Sequence, residues 1–318
     1  MRPRVVLLSL TLLALAACSE EDAAAVADGA GEELKEGSIA VESRSALPIA
    51  EVSGLGRRRV AGKSSYLAVS DSSPILVTFE VGSRGGVSTV EKHDLSALVG
   101  SGAPQWEAVA GDGAGNVFLL AEASDRITVI DSALQTVKHT MEIAIPNSHP
   151  LSKAWSRDPN SRGEGMVLLS NGHVLVVKEK DPVAILELAP VGTAAEGYSA
   201  DLALGDRAFT LPRGSTSTLV PVHHWLLKDS QTKLASDVSE LAVDVDGRLL
   251  LLSDQDRSVL RVERGLRPDE DKADLKSVFR LPGAVDKPEG LVLADGMPLV
   301  AIDAKSPGET LFRMQPLP

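Results

Sequence analysis

Short apolar runs broken by Asp-Gly or Asn-Gly pairs recur along the chain, each opened and closed by an acidic residue. In residues 239–254, SELAVDVDGRLLLLSD, Glu240 opens one run, Asp246-Gly247 breaks it and Asp254 closes the second run. This pattern predicts a β-hairpin with a carboxylate at each open end. Residues 288–303, PEGLVLADGMPLVAID, align with it without a gap, so Glu289 falls on Glu240 and Asp303 on Asp254. Residues 163–179, GEGMVLLSNGHVLVVKE, repeat the unit with Glu164 and Glu179, and residues 106–122, WEAVAGDGAGNVFLLAE, repeat it with Glu107 and Glu122 around a longer turn. A worn copy, residues 53–71, carries Gly54 at the acidic position and Asp71 at its end.

The copies start near Gly54, Glu107, Glu164, Glu240 and Glu289, at intervals of 53, 57, 76 and 49 residues. Short strands at such a period predict an all-β fold, a five-bladed β-propeller of four-stranded blades. Two further strand-like runs follow each hairpin except the last, where the chain ends one strand short. Residues 38–42, SIAVE, are free at the other terminus to supply it, which would close the ring without an exposed edge. The longest interval holds an excess between Gly192 and Thr218, read as an excursion between outer strands of the third blade. The alternative is a degenerate sixth blade, with a hairpin hidden in residues 200–211.

Ahead of the repeats, residues 1–17 have a basic start, Arg2 and Arg4, and an apolar stretch too short to span a membrane. Leu15-Ala16-Ala17-Cys18 then matches a bacterial lipobox, which makes residues 1–17 a lipoprotein signal peptide and Cys18 the lipidated residue; an ordinary cleavable signal with an incidental cysteine is the alternative. Residues 18–37 are mostly Ala, Gly and acidic residues, which predicts a disordered tether ahead of a domain at 38–318. Ser19 is not the aspartate that, by resemblance to enteric lipoproteins, retains them in the inner membrane. The expected location is therefore the cell envelope, at the outer membrane facing the periplasm, with the lipid bilayer as a partner. Cys18 is the only cysteine, so no disulfide contributes to stability. A net charge of −12 disfavours nucleic acid and favours cations.

The order VSGL, AVSD, WEAVA, GEGMVLLSNGHVLVVKEKDP, DVSELAVDVDGRLLLLSDQDRSVL and KPEGLVLADG resembles the SdiA-regulated domain family over roughly residues 51–314. The resemblance implies a five-bladed propeller, distantly similar to NHL-repeat proteins, with a calcium site in at least one member. Gly54 in place of an acid, and the excursion at 192–218, depart from the pattern.

In a propeller the residue opening each first strand sits at one rim of the central channel. Two-residue turns would set Glu164 opposite Glu179, and Glu240 opposite Ser253 beside Asp254. The ring would thus gather Glu107, Glu164, Glu240 and Glu289 at one mouth, with Glu122, Glu179, Asp254, Asp303 and Asp71 in a second tier. So many carboxylates repel one another unless protons or a cation neutralise them, and oxygen-only ligands favour Ca²⁺, or Mg²⁺ with several waters retained. The structural alternative is that the acids accept backbone N–H bonds between neighbouring blades, or pair with Lys178, Lys180 and Lys287. Asp244-Val245-Asp246-Gly247 resembles the start of an EF-hand loop but lacks its closing Glu, and reads as a turn.

No catalytic motif stands out: there is no nucleophile elbow, phosphate loop or zinc-binding His pair. His223 and His224 are strand neighbours on opposite faces, His149 lies in a polar loop, and Arg57-Arg58-Arg59 reads as a solvated turn. Trp106 and Trp155 either wall a pocket or pack between blades. Two functions follow: a binding or scaffold propeller for an unidentified protein or small molecule, with calcium completing the site, or a calcium-dependent hydrolase of the lactonase, esterase or phytase kind. The second needs a His or a basic cluster converging on the acids.

Overall fold

The central strands are apolar runs that stay buried along their whole length: VFLLA at Val117–Ala121, VLVVK at Val174–Lys178 and LLLLS at Leu249–Ser253. Strands buried on both faces read as continuous rather than alternating hydrophobic runs, because sheets pack against both sides. The computed structural model describes residues 34–82 and 85–318, so the expected signal peptide, Cys18 and most of the expected tether lie outside the described residues. The described chain is all-β, with only the short helices Ser96–Val99 and Ser152–Arg157 and the 3₁₀ turn Ala200–Leu202.

The chain folds as successive four-stranded antiparallel meanders. The first comprises Val52–Val60, Lys63–Ser70, Ile75–Val81 and Val87–Asp94; the second Trp106–Gly111, Val117–Ala121, Arg126–Ile130 and Val137–Ile143. The third comprises Gly163–Leu168, Val174–Lys178, Ala184–Pro190 and Thr216–Leu227; the fourth Glu240–Val243, Leu249–Ser253, Ser258–Val262 and Leu275–Arg280. The last comprises Pro288–Ala294, Met297–Ile302, Gly308–Met314 and, from the other end of the chain, Val41–Leu47. The outer strands of the second and third meanders pair in parallel, Thr140 with Thr216, which joins these two into one sheet.

First strands pack side by side in sequence order, and Pro288–Ala294 packs back against Val52–Val60. Apolar clusters fill each gap between successive meanders: Leu67, Trp106 and Leu119 between the first and second, Trp225 and Leu251 between the third and fourth, and Leu47, Phe79 and Leu299 between the last and the first. This is a propeller-type fold, with the hydrophobic core divided among the gaps.

Closure by an N-terminal strand holds, but with other residues than expected. Val41–Leu47 pairs with Gly308–Met314, whereas Lys35–Ser38 lies parallel to Leu275–Arg280 at the edge of the fourth meander. The paired chain thus begins three residues before the expected boundary at 38. Leu47, at 1 % exposure, anchors this strand in the core, and Ile39, in the link between the two N-terminal strands, is buried as well. The excursion follows Ala184–Pro190 and precedes Thr216–Leu227, between two outer strands of the third meander. Residues 200–211 hold a 3₁₀ turn and no hairpin.

Candidate functional site

What aims the acids is the pairing register of the first strand in each meander. Ladders slip by one residue at Ser53, Glu107, Glu164 and Glu289, each of which sits in a β-bulge. A bulge leaves one residue unpaired and re-aims its side chain. The fourth meander differs. Glu240 pairs regularly with Leu252, not Ser253, because Asp246-Gly247 belongs to a three-residue loop in which Gly247 takes a left-handed conformation, φ 75°. Asp295-Gly296 in the last meander makes the expected two-residue turn, both residues at positive φ. Relative to the last meander the extra residue is absorbed at the turn instead of at the acid, whereas the second and third meanders have both a bulge and a three-residue loop, closed by Gly115 and Gly172; without a bulge at Glu240, Ser239 takes the place that Glu107, Glu164 and Glu289 hold. In the same way Ser53, not Gly54, is the counterpart in the worn copy. Glu164 is likewise not opposite Glu179, whose N–H donates to the Arg162 carbonyl at 3.1 Å.

These positions open onto a cavity of ≈ 270 Å³ whose lining includes Ser53, Glu107, Glu164, Ser239 and Glu289. Glu122, Glu179 and Asp303 join them as expected, with Asp71, and with Glu51 and Asp237, which sequence reasoning missed. Asp237 had a signal in the SDVSE run just ahead of Glu240. The lining thus holds nine carboxylates and no Lys, Arg or His. Burial is the leading cause of raised carboxyl pKa values here. It pushes Glu107 up to about 8, with help from Glu122, Asp71 and Glu179, and Glu122 up to about 7 against the opposing Arg162 backbone N–H. Glu164 and Glu289 are held well above the usual range by burial first and neighbouring carboxylates second. Glu164 lies beside Glu122 and opposes the rise at Glu122.

Partners at the rim are few. Glu122 accepts from the Arg162 N–H at 2.5 Å, Lys180 pairs with Glu179 at 2.7 Å, and Lys287 pairs with Asp303 at 3.0 Å. Lys178 does not pair with an acid; it is buried and donates to Ser161 O at 2.9 Å. Asp71 Oδ1 and Glu179 Oε2 are buried without any hydrogen-bond partner. Among the described residues, no three Asp, Glu, His or Cys side chains are disposed to hold one metal ion.

Two expected members of the site stand apart. Asp254 lies outside the lining, pushed up by burial and by Asp237 with Lys287 opposing. Glu240 is 1 % exposed and occupies the channel axis, where its carboxylate accepts from Leu241 N–H at 2.9 Å, Leu55 N–H at 3.3 Å and the Met166 backbone. It fits there because the equivalent positions are Gly54, Ala108, Gly165 and Gly290. A Cβ on Gly165 would lie 2.3 Å from Leu241 N, and one on Gly290 2.7 Å from Leu55 Cγ. Glu240 therefore follows the structural alternative, tying three meanders together and separating the acidic cavity from the space beyond.

The other candidates fall elsewhere. His149 and His224 stack edge to face, centroids 5.0 Å apart, and His223 contacts Glu270 O at 2.8 Å, all away from the acidic cavity. Trp106 and Trp155 pack in the core. Asp244 is the expected turn former, accepting from Asp246 and Arg248 N–H. Arg57-Arg58-Arg59 is not a solvated turn: Arg58 is buried and donates to Gly115 O and Ser132 O at 3.0 Å, while Arg57 and Arg59 both pair with Asp206 in the excursion.

A search of curated protein sequences gives no match. Among solved structures, glutaminyl cyclase from Myxococcus xanthus superposes with a TM-score of 0.53 at 12 % identity, covering 89 % of this chain and 98 % of that one. The PQQ-bound aldose sugar dehydrogenase of Streptomyces coelicolor is similar at 15 % identity and a TM-score of 0.49, over 87 % of this chain and 98 % of that one. Regucalcin from Agrobacterium tumefaciens, described as a calcium-binding protein, is similar at 12 % identity and a TM-score of 0.48, over 88 % and 94 %. At 12 % identity, the first of these speaks to the propeller-type fold alone. The sequence profile described as SdiA-regulated matches residues 122–297, more than half of the chain and three of its four acidic hairpin starts. With that match, the chain belongs to the SdiA-regulated family.

Proposed function

We propose that the chain is a lipid-anchored protein of the bacterial envelope whose five-bladed propeller, closed by Val41–Leu47, is a binding module with a calcium site in its acidic cavity. The acidic cavity carries the reading: nine carboxylates line ≈ 270 Å³ without a basic residue among them, and two of their buried oxygens lack partners. Oxygen donors of this charge suit Ca²⁺, which accepts six to eight in flexible geometry, better than Mg²⁺. Asp71, Glu107, Glu122, Glu164, Glu179 and Glu289 are the groups that would hold it, after side-chain rotation brings them together; Glu240 and Asp254 leave the set. A bound cation would neutralise the mouth and stiffen the surface on which a small molecule or protein docks. The hydrolase reading gains nothing from a lining without histidine.

The test is calorimetric titration of Ca²⁺ into chelator-stripped protein, with melting followed in parallel. Binding stabilises by about 2.7 kcal/mol at a hundredfold excess over Kd. Chelation should lower the melting temperature, Ca²⁺ should restore it better than Mg²⁺, and Glu164→Gln or Glu289→Gln should weaken the response. Neither heat nor a melting shift would end the calcium reading. The anchor is tested separately. Cys18→Ser should move the protein from the membrane to the soluble periplasmic fraction without changing its melting, and unchanged membrane association would remove the anchor.

A further inference from the structure

Beyond Glu240 the channel reopens into a second cavity of ≈ 510 Å³, within the range of small-molecule sites. Its character is opposite to that of the acidic mouth. The first strands line it with the half-buried Ala110, Val243, Val292 and Leu293, beside Val109, Met166, Leu241 and Leu291, whose side chains pack into the core. The charged side chains in the lining, Arg57, Asp244 and Asp246, each have a counter-ion within the protein: Asp206 at 2.8 Å, Arg261 at 3.4 Å and Arg248 at 3.3 Å. Each charge in the wall thus has a partner, although Arg57 shares Asp206 with Arg59. Because each first strand pairs within its meander along only one edge, its other edge turns backbone groups toward the axis, where they can hydrogen-bond a guest.

One side of this cavity is formed by Ala200, Ala203, Leu204 and Gly205, all from the excursion that lengthens the third repeat. That segment is fastened across the channel end from four directions. Asp206 pairs with Arg57 of the first meander, and Arg207 O accepts from Gly113 N–H of the second at 2.8 Å. Leu202 O accepts from Ser170 N–H of the third at 2.9 Å, and Tyr198 Oη donates to Gly247 O of the fourth at 2.9 Å. An insertion on the outer rim of a blade needs none of these ties; together they make it a wall.

We infer that the 510 Å³ cavity binds a small, uncharged, largely apolar molecule bearing one or a few hydrogen-bonding groups, with the 200–205 turn as part of its wall. Apolar side chains supply contact area, open strand edges fix orientation, and the pairing of the charged side chains within the protein favours an uncharged guest over an ion. This site is independent of the acidic cavity and of any calcium there.

Photo-labelling of the full chain in lipid nanodiscs tests it, with benzophenone as the uncharged probe and 4-benzoylbenzoate as its anionic relative. Benzophenone adducts should saturate on peptides carrying residues 241–247 and 200–205, at least tenfold above 4-benzoylbenzoate at equal concentration. Ala203→Trp, which fills the cavity, and Leu293→Asp, which charges it, should each cut those adducts at least tenfold, while Glu164→Gln leaves them unchanged. Adducts spread evenly over the chain, or undiminished in both cavity variants, overturn the inference. Should both variants unfold, seen as adducts rising on every peptide, equal labelling of the unaltered chain by the two probes overturns it, and the tenfold contrast at those two peptides upholds it.

Discussion

Two glutamates that the sequence sets in register behave as different residues once folded. Glu164 stands in a bulge at the acidic mouth beside Glu122, whereas Glu240 stands in a regular ladder and turns its carboxylate to backbone amides at the axis. The same substitution should therefore have opposite signs at the two places. Glu240→Gln puts an amide donor against backbone N–H groups and should cost about 1–3 kcal/mol by urea or thermal unfolding. Glu164→Gln removes a charge from a crowded site and should be neutral or stabilising in the absence of cations. Equal losses at both positions would mean that Glu164, too, serves the backbone. The distinction was hidden in the sequence because Asp-Gly serves both two-residue turns and three-residue loops closed by a left-handed glycine. One residue of slip changes which side chain reaches the mouth.

Among elements, the two N-terminal strands make unequal contributions. Lys35–Ser38 is exposed at every position, while Val41–Leu47 supplies the fourth strand of the last meander and leads into Leu47 and Ile49 of the core. Deleting residues up to Ser38 should shift the melting temperature little. Extending the deletion through Leu47 uncovers the edge of Gly308–Met314 and should cost several kcal/mol, since each buried Leu or Ile is worth about 2–5 kcal/mol. Equal melting of the two truncations would place ring closure elsewhere. That a strand from the start of the chain was needed could be read from the missing run after residue 314; which residues supplied it could not. Val41–Leu47, VESRSAL, alternates weakly and ends on one large apolar residue, so its place was fixed by the gap it fills.

At the level of the whole molecule, one mouth carries the electrostatic load, and this sets how stability should vary with pH. In the unfolded chain the glutamates titrate near 4.5, whereas folding raises Glu107 to about 8 and Glu122 to about 7. A group raised in the folded state stabilises fully below its unfolded value and loses that contribution as pH rises through the folded one. Chelator-treated protein should accordingly lose on the order of a few kcal/mol between about pH 5 and pH 8.5, and Ca²⁺ should restore most of it at the alkaline end. A flat profile without cations would show that the cavity carboxylates are neutralised by partners within the protein. The sequence by itself determined the hairpin unit, its repetition, the all-β propeller-type ring and the gathering of carboxylates at one end, because each follows from local periodicity and turn chemistry. Only the tertiary structure decided that Ser239 rather than Glu240 faces the acidic mouth, that Arg57-Arg58-Arg59 clamps the excursion, and that the excursion walls a second cavity. Those outcomes depend on ladder register and on contacts between residues as far apart as Arg57 and Asp206, which no local pattern records.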